Sequence, residues 1–250
     1  MPRWLIGGLF WLASATAWAG MADLIAASKP SVVAVGSYNA LNNPRFAPRG
    51  TGFVVGDGSQ VVTNAHVLPA DADKGFGNQI RVRVVAGSAA PSERIATVLK
   101  VDAAHDLALL RIDGARLPAL SLAVDVEVAE GTSVLFLGFP IGNMLGLAPV
   151  SHRGMVSSVT DMVLPPPSAR HLSGAAIQQM RDNPFKIYQL DATAYPGNSG
   201  GPLLDAETGH VIGVVSMVAI KGTRESALSH PTGISYAMPV RWVRALLGSR

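Results

Sequence analysis

Apolar residues run along this chain in short bursts separated by turn-formers. Ser31–Gly36, Gly50–Val55, Gln60–Thr63, Ile80–Ala86, Arg94–Val101 and Leu107–Ile112 are rich in Val, Ile and Leu. Residues such as Asp57-Gly58 and Ala86-Gly87 bound most of them, which predicts strands rather than helices. Six such segments at this spacing suit a small antiparallel barrel. Leu117–Val128 reads as a connector, and a second set of six follows: Ser133–Leu137, Val150–Val159, Lys186–Ala194, Pro202–Leu204, His210–Val218 and Gly233–Met238. The chain thus divides into two halves of similar size and strand content, with no repeat between them. Helical patterning is strongest near the two ends. Met21–Ser28 predicts a short helix before Pro30. Pro239–Leu247 predicts another, with Val240, Val243, Leu246 and Leu247 on one face and Pro239 at the first helical position. Asp161–Asn183 breaks the rhythm, with Pro165-Pro166-Pro167 and then a short helical stretch, Ala175–Arg181. A connection of this length inside a compact domain is usually functional or disordered.

Composition narrows the classes. With 48% hydrophobic and 15% charged residues in 250, the chain can bury a sizeable core as one large or two small domains, and a disordered chain is not expected. Twenty basic residues against 17 acidic ones form no basic run, so nucleic acid is not an expected partner. The absence of cysteine excludes disulfides, thiolate nucleophiles and Cys metal sites. Residues 1–19 read as a secretory signal peptide: Arg3, an apolar stretch Trp4–Ala15, then Ala17-Trp18-Ala19 as a small-x-small cleavage pattern. The stretch is short for a membrane span. A bacterial export, periplasmic or secreted, is expected, with no stable membrane span after cleavage; an uncleaved anchor is the alternative.

The candidate chemistry centres on Pro196-Gly197-Asn198-Ser199-Gly200-Gly201-Pro202-Leu203. Glycines on both sides of Ser199 allow a tight turn that aims the N–H groups of Gly197 and Ser199 into one space, as an oxyanion requires. A plain glycine-rich turn between strands would look the same. A serine nucleophile needs a base and an orienting carboxylate. His66 follows the apolar run Val61–Ala65 at a strand end, and His105 adjoins Asp106. His152, His171, His210 and His230 read as structural or surface residues. Asp106, opening the apolar strand Leu107–Leu110, must be either solvated or paired. Asp191 is a second candidate for a buried, hydrogen-bonded carboxylate, whereas Asp102 and Asp113 read as turn residues. No His-Glu-x-x-His spacing is present, and no metal or organic cofactor is called for.

Four stretches in order, Gly50-Thr51-Gly52-Phe53-Val54-Val55, Val62-Thr63-Asn64-Ala65-His66-Val67, His105-Asp106-Leu107-Ala108-Leu109-Leu110 and Gly197-Asn198-Ser199-Gly200-Gly201-Pro202, resemble the trypsin-like serine proteases of the HtrA/DegP type. Gly138–Gly142, Arg153–Ser157 and Gly233–Pro239 extend the resemblance, which spans roughly Pro30 to Val240. It implies an all-β fold of two six-stranded antiparallel barrels of the chymotrypsin/trypsin kind within a protease domain at 20–250. The first barrel would lie at about 30–116, the second at about 130–238, and a C-terminal helix at 239–247. It implies Ser199 as nucleophile, His66 as base and then acid, Asp106 as its orienter, and Gly197 and Ser199 as oxyanion donors. Thr193, Ser216, Met217 and Val218 would line the substrate site. Thr193 is neutral where a basic-specific protease has an acid, and the strand 216–218 has no histidine, so small or medium aliphatic residues are the expected preference. The implied partners are protein or peptide substrates and a homo-oligomer built through Met21–Ser28. Two departures stand out. Tyr195 stands where the family usually has Asn, and no PDZ module is expected after the protease domain. Asp161–Asn183 falls where the family carries regulatory loops around the active site, so it is expected to gate the oxyanion hole or contact substrate. A protease-fold binding or chaperone-like module with little turnover is the alternative function.

Overall fold

Val, Ile and Leu dominate the strands because branched side chains pack well on a pleated, half-buried surface. The computed structural model describes residues 20–69, 78–85, 91–124, 127–140, 148–162, 184–216 and 233–248. The first six strands are β1 (Val32–Tyr38), β2 (Phe46–Val55), β3 (Gln60–Asn64), β4 (Gln79–Val84), β5 (Ser92–Asp102) and β6 (Leu107–Ile112). They close in the order β1-β2-β3-β6-β5-β4. The next six are β7 (Ser133–Gly138), β8 (Val150–Asp161), β9 (Lys186–Asp191), β10 (Pro202–Asp205), β11 (Val211–Ser216) and β12 (Ile234–Pro239). They close as β10-β11-β12-β9-β8-β7. All twelve strands pair antiparallel in two barrels, as expected, and closure leaves no free sheet edge.

Val33, Val35, Val54, Val61, Val82 and Leu110 pack inside the first barrel, and Val134, Phe136, Leu190, Leu203 and Val215 inside the second. A third cluster, including Phe53, Leu107, Leu109, Leu137, Leu204 and Val243, draws residues from both barrels. The helix α1 (Met21–Ser28) lies where its pattern predicts. The C-terminal helix α2 spans Val240–Gly248 and buries Val240, Val243 and Leu246. It packs across β5, β6, β11 and β12, so it ties the barrels together. Lys100 on β5 donates to the Leu246 carbonyl at 3.0 Å. The Trp242 ring stacks on His105 at 3.6 Å and 19°.

Some boundaries differ from the sequence pattern. Pro239 is not a helical residue: it ends β12 opposite Gly213, because the strand pairing reaches that far. Strand β2 begins at Phe46, ahead of the apolar run, since Phe46–Pro48 pair with Gly36–Tyr38 past a bulge. Strand β9 stops at Asp191 because the backbone groups of Ala192 and Ala194 bind the Ser235 hydroxyl. Asp191 is exposed, not a buried carboxylate. Asp102 is more than a turn residue: its carboxylate receives the His105 N–H at 3.2 Å and lies 2.6 Å from the His105 Nδ1. The signal peptide, Pro165-Pro166-Pro167 and the helix expected at Ala175–Arg181 lie outside the described residues.

Candidate active site

Strand β3 runs into a 3₁₀ turn at Ala65–Val67, with Val67 buried and His66 turned outward. The neighbouring strand β6 starts at Leu107, paired with Asn64. That register sets Asp106 beside His66. The His66 Nδ1 lies 2.7 Å from Asp106 Oδ2, and the His66 backbone N–H donates to Oδ1 at 3.0 Å. The side chains keep 32% and 20% of their exposure, so the pair sits at a solvent-accessible surface. Asp106 has φ 52°, the one positive value among described non-glycine residues. Short polar side chains tolerate that region. The Asp106 carbonyl is fixed there by the Ala65 N–H at 3.0 Å and the Asn64 amide at 2.9 Å. From the other barrel, the Ser216 hydroxyl at the end of β11 donates to Asp106 Oδ2 at 3.2 Å.

The serine loop joins β9 to β10. Asn198 N–H bonds the Tyr195 carbonyl at 2.9 Å, with Pro196 second and Gly197 third at φ 105°, the signature of a type II turn. Gly201 N–H bonds the Asn198 carbonyl at 3.0 Å, with Gly200 third at φ 87°. Ser199, 4% exposed, is the second residue of this turn. A side chain at Gly200 would collide with the Thr51 carbonyl and the Thr63 hydroxyl. The loop therefore lies directly on β2 and on the end of β3 that leads to His66.

Thr51 holds that contact. Its N–H donates to the Ser199 carbonyl at 2.8 Å, and its hydroxyl donates to the Gly197 carbonyl at 2.6 Å. The same hydroxyl accepts from Phe139 N–H at 3.0 Å, while the Thr51 carbonyl accepts from Thr63 at 2.6 Å. Ser235 on β12 clamps the loop's start, accepting from Ala194 N–H and donating to the Ala192 carbonyl, each at 2.8 Å. Neither residue stood out as functional in the sequence. The available signal was a hydroxyl placed among Val, Phe and Met in a core strand. Thr193 sits half-buried between the clamped residues. Met217 and Val218 lie outside the described residues. His105 faces Asp102 rather than His66, and His210 is exposed.

The two-barrel fold with this corner defines a class, and comparison with known proteins gives the family. Residues 50–214 match the trypsin-like peptidase domain, and the chain belongs to that family. It is 32% identical over 222 residues to "Serine protease HTRA4" of Homo sapiens, covering 87% of this chain and 39% of that protein. It is 32% identical over 191 residues to a "Probable periplasmic serine endoprotease DegP-like" of Pseudomonas fluorescens, covering 76% of this chain and 32% of that protein. The chain thus spans about a third to two-fifths of these relatives. The crystal structure of the Rv3671c protease from M. tuberculosis in its active form aligns with a TM-score of 0.64 at 26% identity. That alignment covers 91% of this chain and 85% of the other. Both curated relatives are of the HtrA/DegP type that the four motifs resemble.

Proposed function

We propose that this chain is a serine endopeptidase that cleaves peptide bonds through an acyl-enzyme. The observation that carries this reading is the Asp106 carboxylate, which holds His66 by both its ring and its backbone N–H. A ring nitrogen facing a carboxylate carries the proton, so Nε2 keeps its lone pair as a base. Nε2 takes the proton of Ser199 as Oγ attacks the scissile carbonyl, and returns it to the leaving amine. Asp106 stabilises the imidazolium formed in between. The Gly197 and Ser199 N–H groups receive the oxyanion, and the type II turn gives that loop a defined arrangement before substrate arrives. Water then repeats the cycle to release the acid.

Of the described residues, Thr193 and Ser216 are the substrate-contacting ones in this reading, with small or medium aliphatic residues preferred. Residues 1–19 direct export to the periplasm or beyond, in keeping with the periplasmic name of the DegP-like relative. Among the described residues no helix is long and apolar enough to cross a membrane. The deciding experiment is labelling of the purified protein by a fluorophosphonate probe beside Ser199→Ala. Labelling that disappears in the variant is expected. Folded wild-type protein that does not label would overturn the reading and favour a protease-fold binding module.

A further inference from the structure

Beside the serine loop lies a polar pair, a buried asparagine and a half-buried histidine, that the reaction above does not use. Asn198, between the two oxyanion donors, is completely buried. Its Nδ2 lies 3.3 Å from Nε2 of His152 on β8. Its Oδ1 is also buried and finds no donor among the described residues. A Cβ at Gly138 would sit 2.5 Å from that oxygen, so the carboxamide fits only because β7 ends in glycine. The His152 ring is stacked on Phe136 at 4.7 Å and 13°, and tilted against Tyr195 at 6.2 Å and 46°. Tyr195 opens the type II turn, so the imidazole touches the turn's first residue and its last.

An amide NH₂ only donates, so this contact requires Nε2 to accept, and the ring to be neutral with its proton on Nδ1. An imidazolium has no acceptor. Protonation would set N–H against NH₂, and the bond is lost unless the carboxamide turns over to offer Oδ1. Either outcome changes the support of the residue between the two oxyanion donors.

We propose that His152 is a positioning residue for the oxyanion loop: neutral, its Nε2 holds the Asn198 carboxamide, and protonation releases the loop from its reactive arrangement. This rests on the endopeptidase reading. The neighbourhood favours the neutral form. Strand β7 presents Phe136 and the loop presents Asn198 and Tyr195; of these described contacts only Tyr195 carries a titratable group. Along β8, Ser151 and Arg153 leave from the opposite face. Asp191 on β9 opposes Met155, three residues on. Among the described residues no carboxylate pairs with His152, and burial pushes its imidazole below the ordinary value. The switch therefore acts on the acid side of neutrality.

The test is the second-order rate of fluorophosphonate labelling from pH 8 downward. In wild type the logarithm of the rate should fall toward acid with a limiting slope one proton steeper than in His152→Gln. His152→Gln, whose amide oxygen can accept from Asn198, should keep the pH 8 rate within about threefold and lose that extra proton from its profile. His152→Leu should be about tenfold slower at pH 8, less than the 10²–10³ that loss of an oxyanion donor costs. Wild-type and His152→Gln profiles of equal slope, or folded His152→Leu labelling as fast as wild type, would overturn the proposal. If wild type does not label at pH 8, the endopeptidase reading fails, and amide NMR of the full chain decides the inference. Gly197, Ser199 and the Asn198 side chain should then titrate together with His152, and stay flat in His152→Gln. Loop resonances that ignore the His152 titration would sink it, and the same spectra decide the matter if His152→Leu does not fold.

Discussion

The two halves of the site are built on different terms. His66 and Asp106 stand at the ends of β3 and β6, which pair from Gln60↔Arg111 to Asn64↔Leu107. Strand register within one barrel places them. Ser199 rides on two consecutive turns with little regular pairing of its own. Its loop is held by Thr51 from the first barrel, by Ser235 on β12 and by the His152–Asn198 pair. A geometry made by strand pairing is distributed over many bonds and resists single changes. A geometry made by a few side-chain hydrogen bonds depends on each of them, and is open to control.

Four predictions press on that contrast. Ser199→Ala should abolish peptide hydrolysis, lowering kcat/KM on the order of 10⁶-fold while thermal unfolding stays unchanged. Asp106→Asn should cost about 10⁴-fold through loss of the required tautomer. Asn also tolerates a positive φ, so circular dichroism and the melting temperature should hold, which separates the chemical role of this corner from its fold.

Thr51→Val keeps the branched shape but leaves the Gly197 carbonyl and the Phe139 N–H without their hydroxyl partner. Each buried group so stranded costs about 1–3 kcal/mol. Fluorophosphonate labelling should slow by roughly ten- to a hundredfold, while the downfield NMR proton between His66 and Asp106 remains. Loss of both signals together would show that the two halves are not independent.

The smallest effect concerns acid stability. Burial lowers His152 from 6.5, so below that pH the unfolded chain binds a proton that the folded chain does not. Stability is therefore greatest above 6.5 and falls as pH drops. For Asp102, burial pushes the carboxyl up, but hydrogen bonds and charge from His105 outweigh it and leave it below 3.8. Its contribution is present above 3.8 and is lost as pH falls through the lowered folded value. Urea unfolding across pH should show two losses, and His152→Gln should remove the first alone.

How far the sequence could be read differs between the same two regions. The motif residues of the base corner, Thr63–Val67 and His105–Leu110, lie in or beside strands whose apolar runs show their register plainly. The nucleophile loop was legible as a motif, because Gly197 and Gly200 occupy positive φ values that favour glycine. Its supports were not. Thr51, Ser235 and His152 lie 148, 36 and 47 positions from Ser199, and no local pattern marks a hydroxyl or imidazole that bonds to a loop so far along the chain. His105 shows the converse: it adjoins Asp106 in sequence, yet both lie in the turn between β5 and β6, where Asp106 takes φ 52°, and the His105 ring faces Asp102 and Trp242.

The sequence by itself determined twelve short strands in two sets and a helix near each end, which follow from local periodicity; the ordered His66, Asp106 and Ser199 rest on the resemblance of four motifs to the family. Only the tertiary structure decided which carboxylate meets His66, that Pro239 closes a strand, and that a buried threonine and a half-buried histidine hold the serine loop. Those outcomes depend on closing each barrel and packing one against the other. Closure brings groups dozens of residues apart within 3 Å, where burial makes every unpaired donor costly.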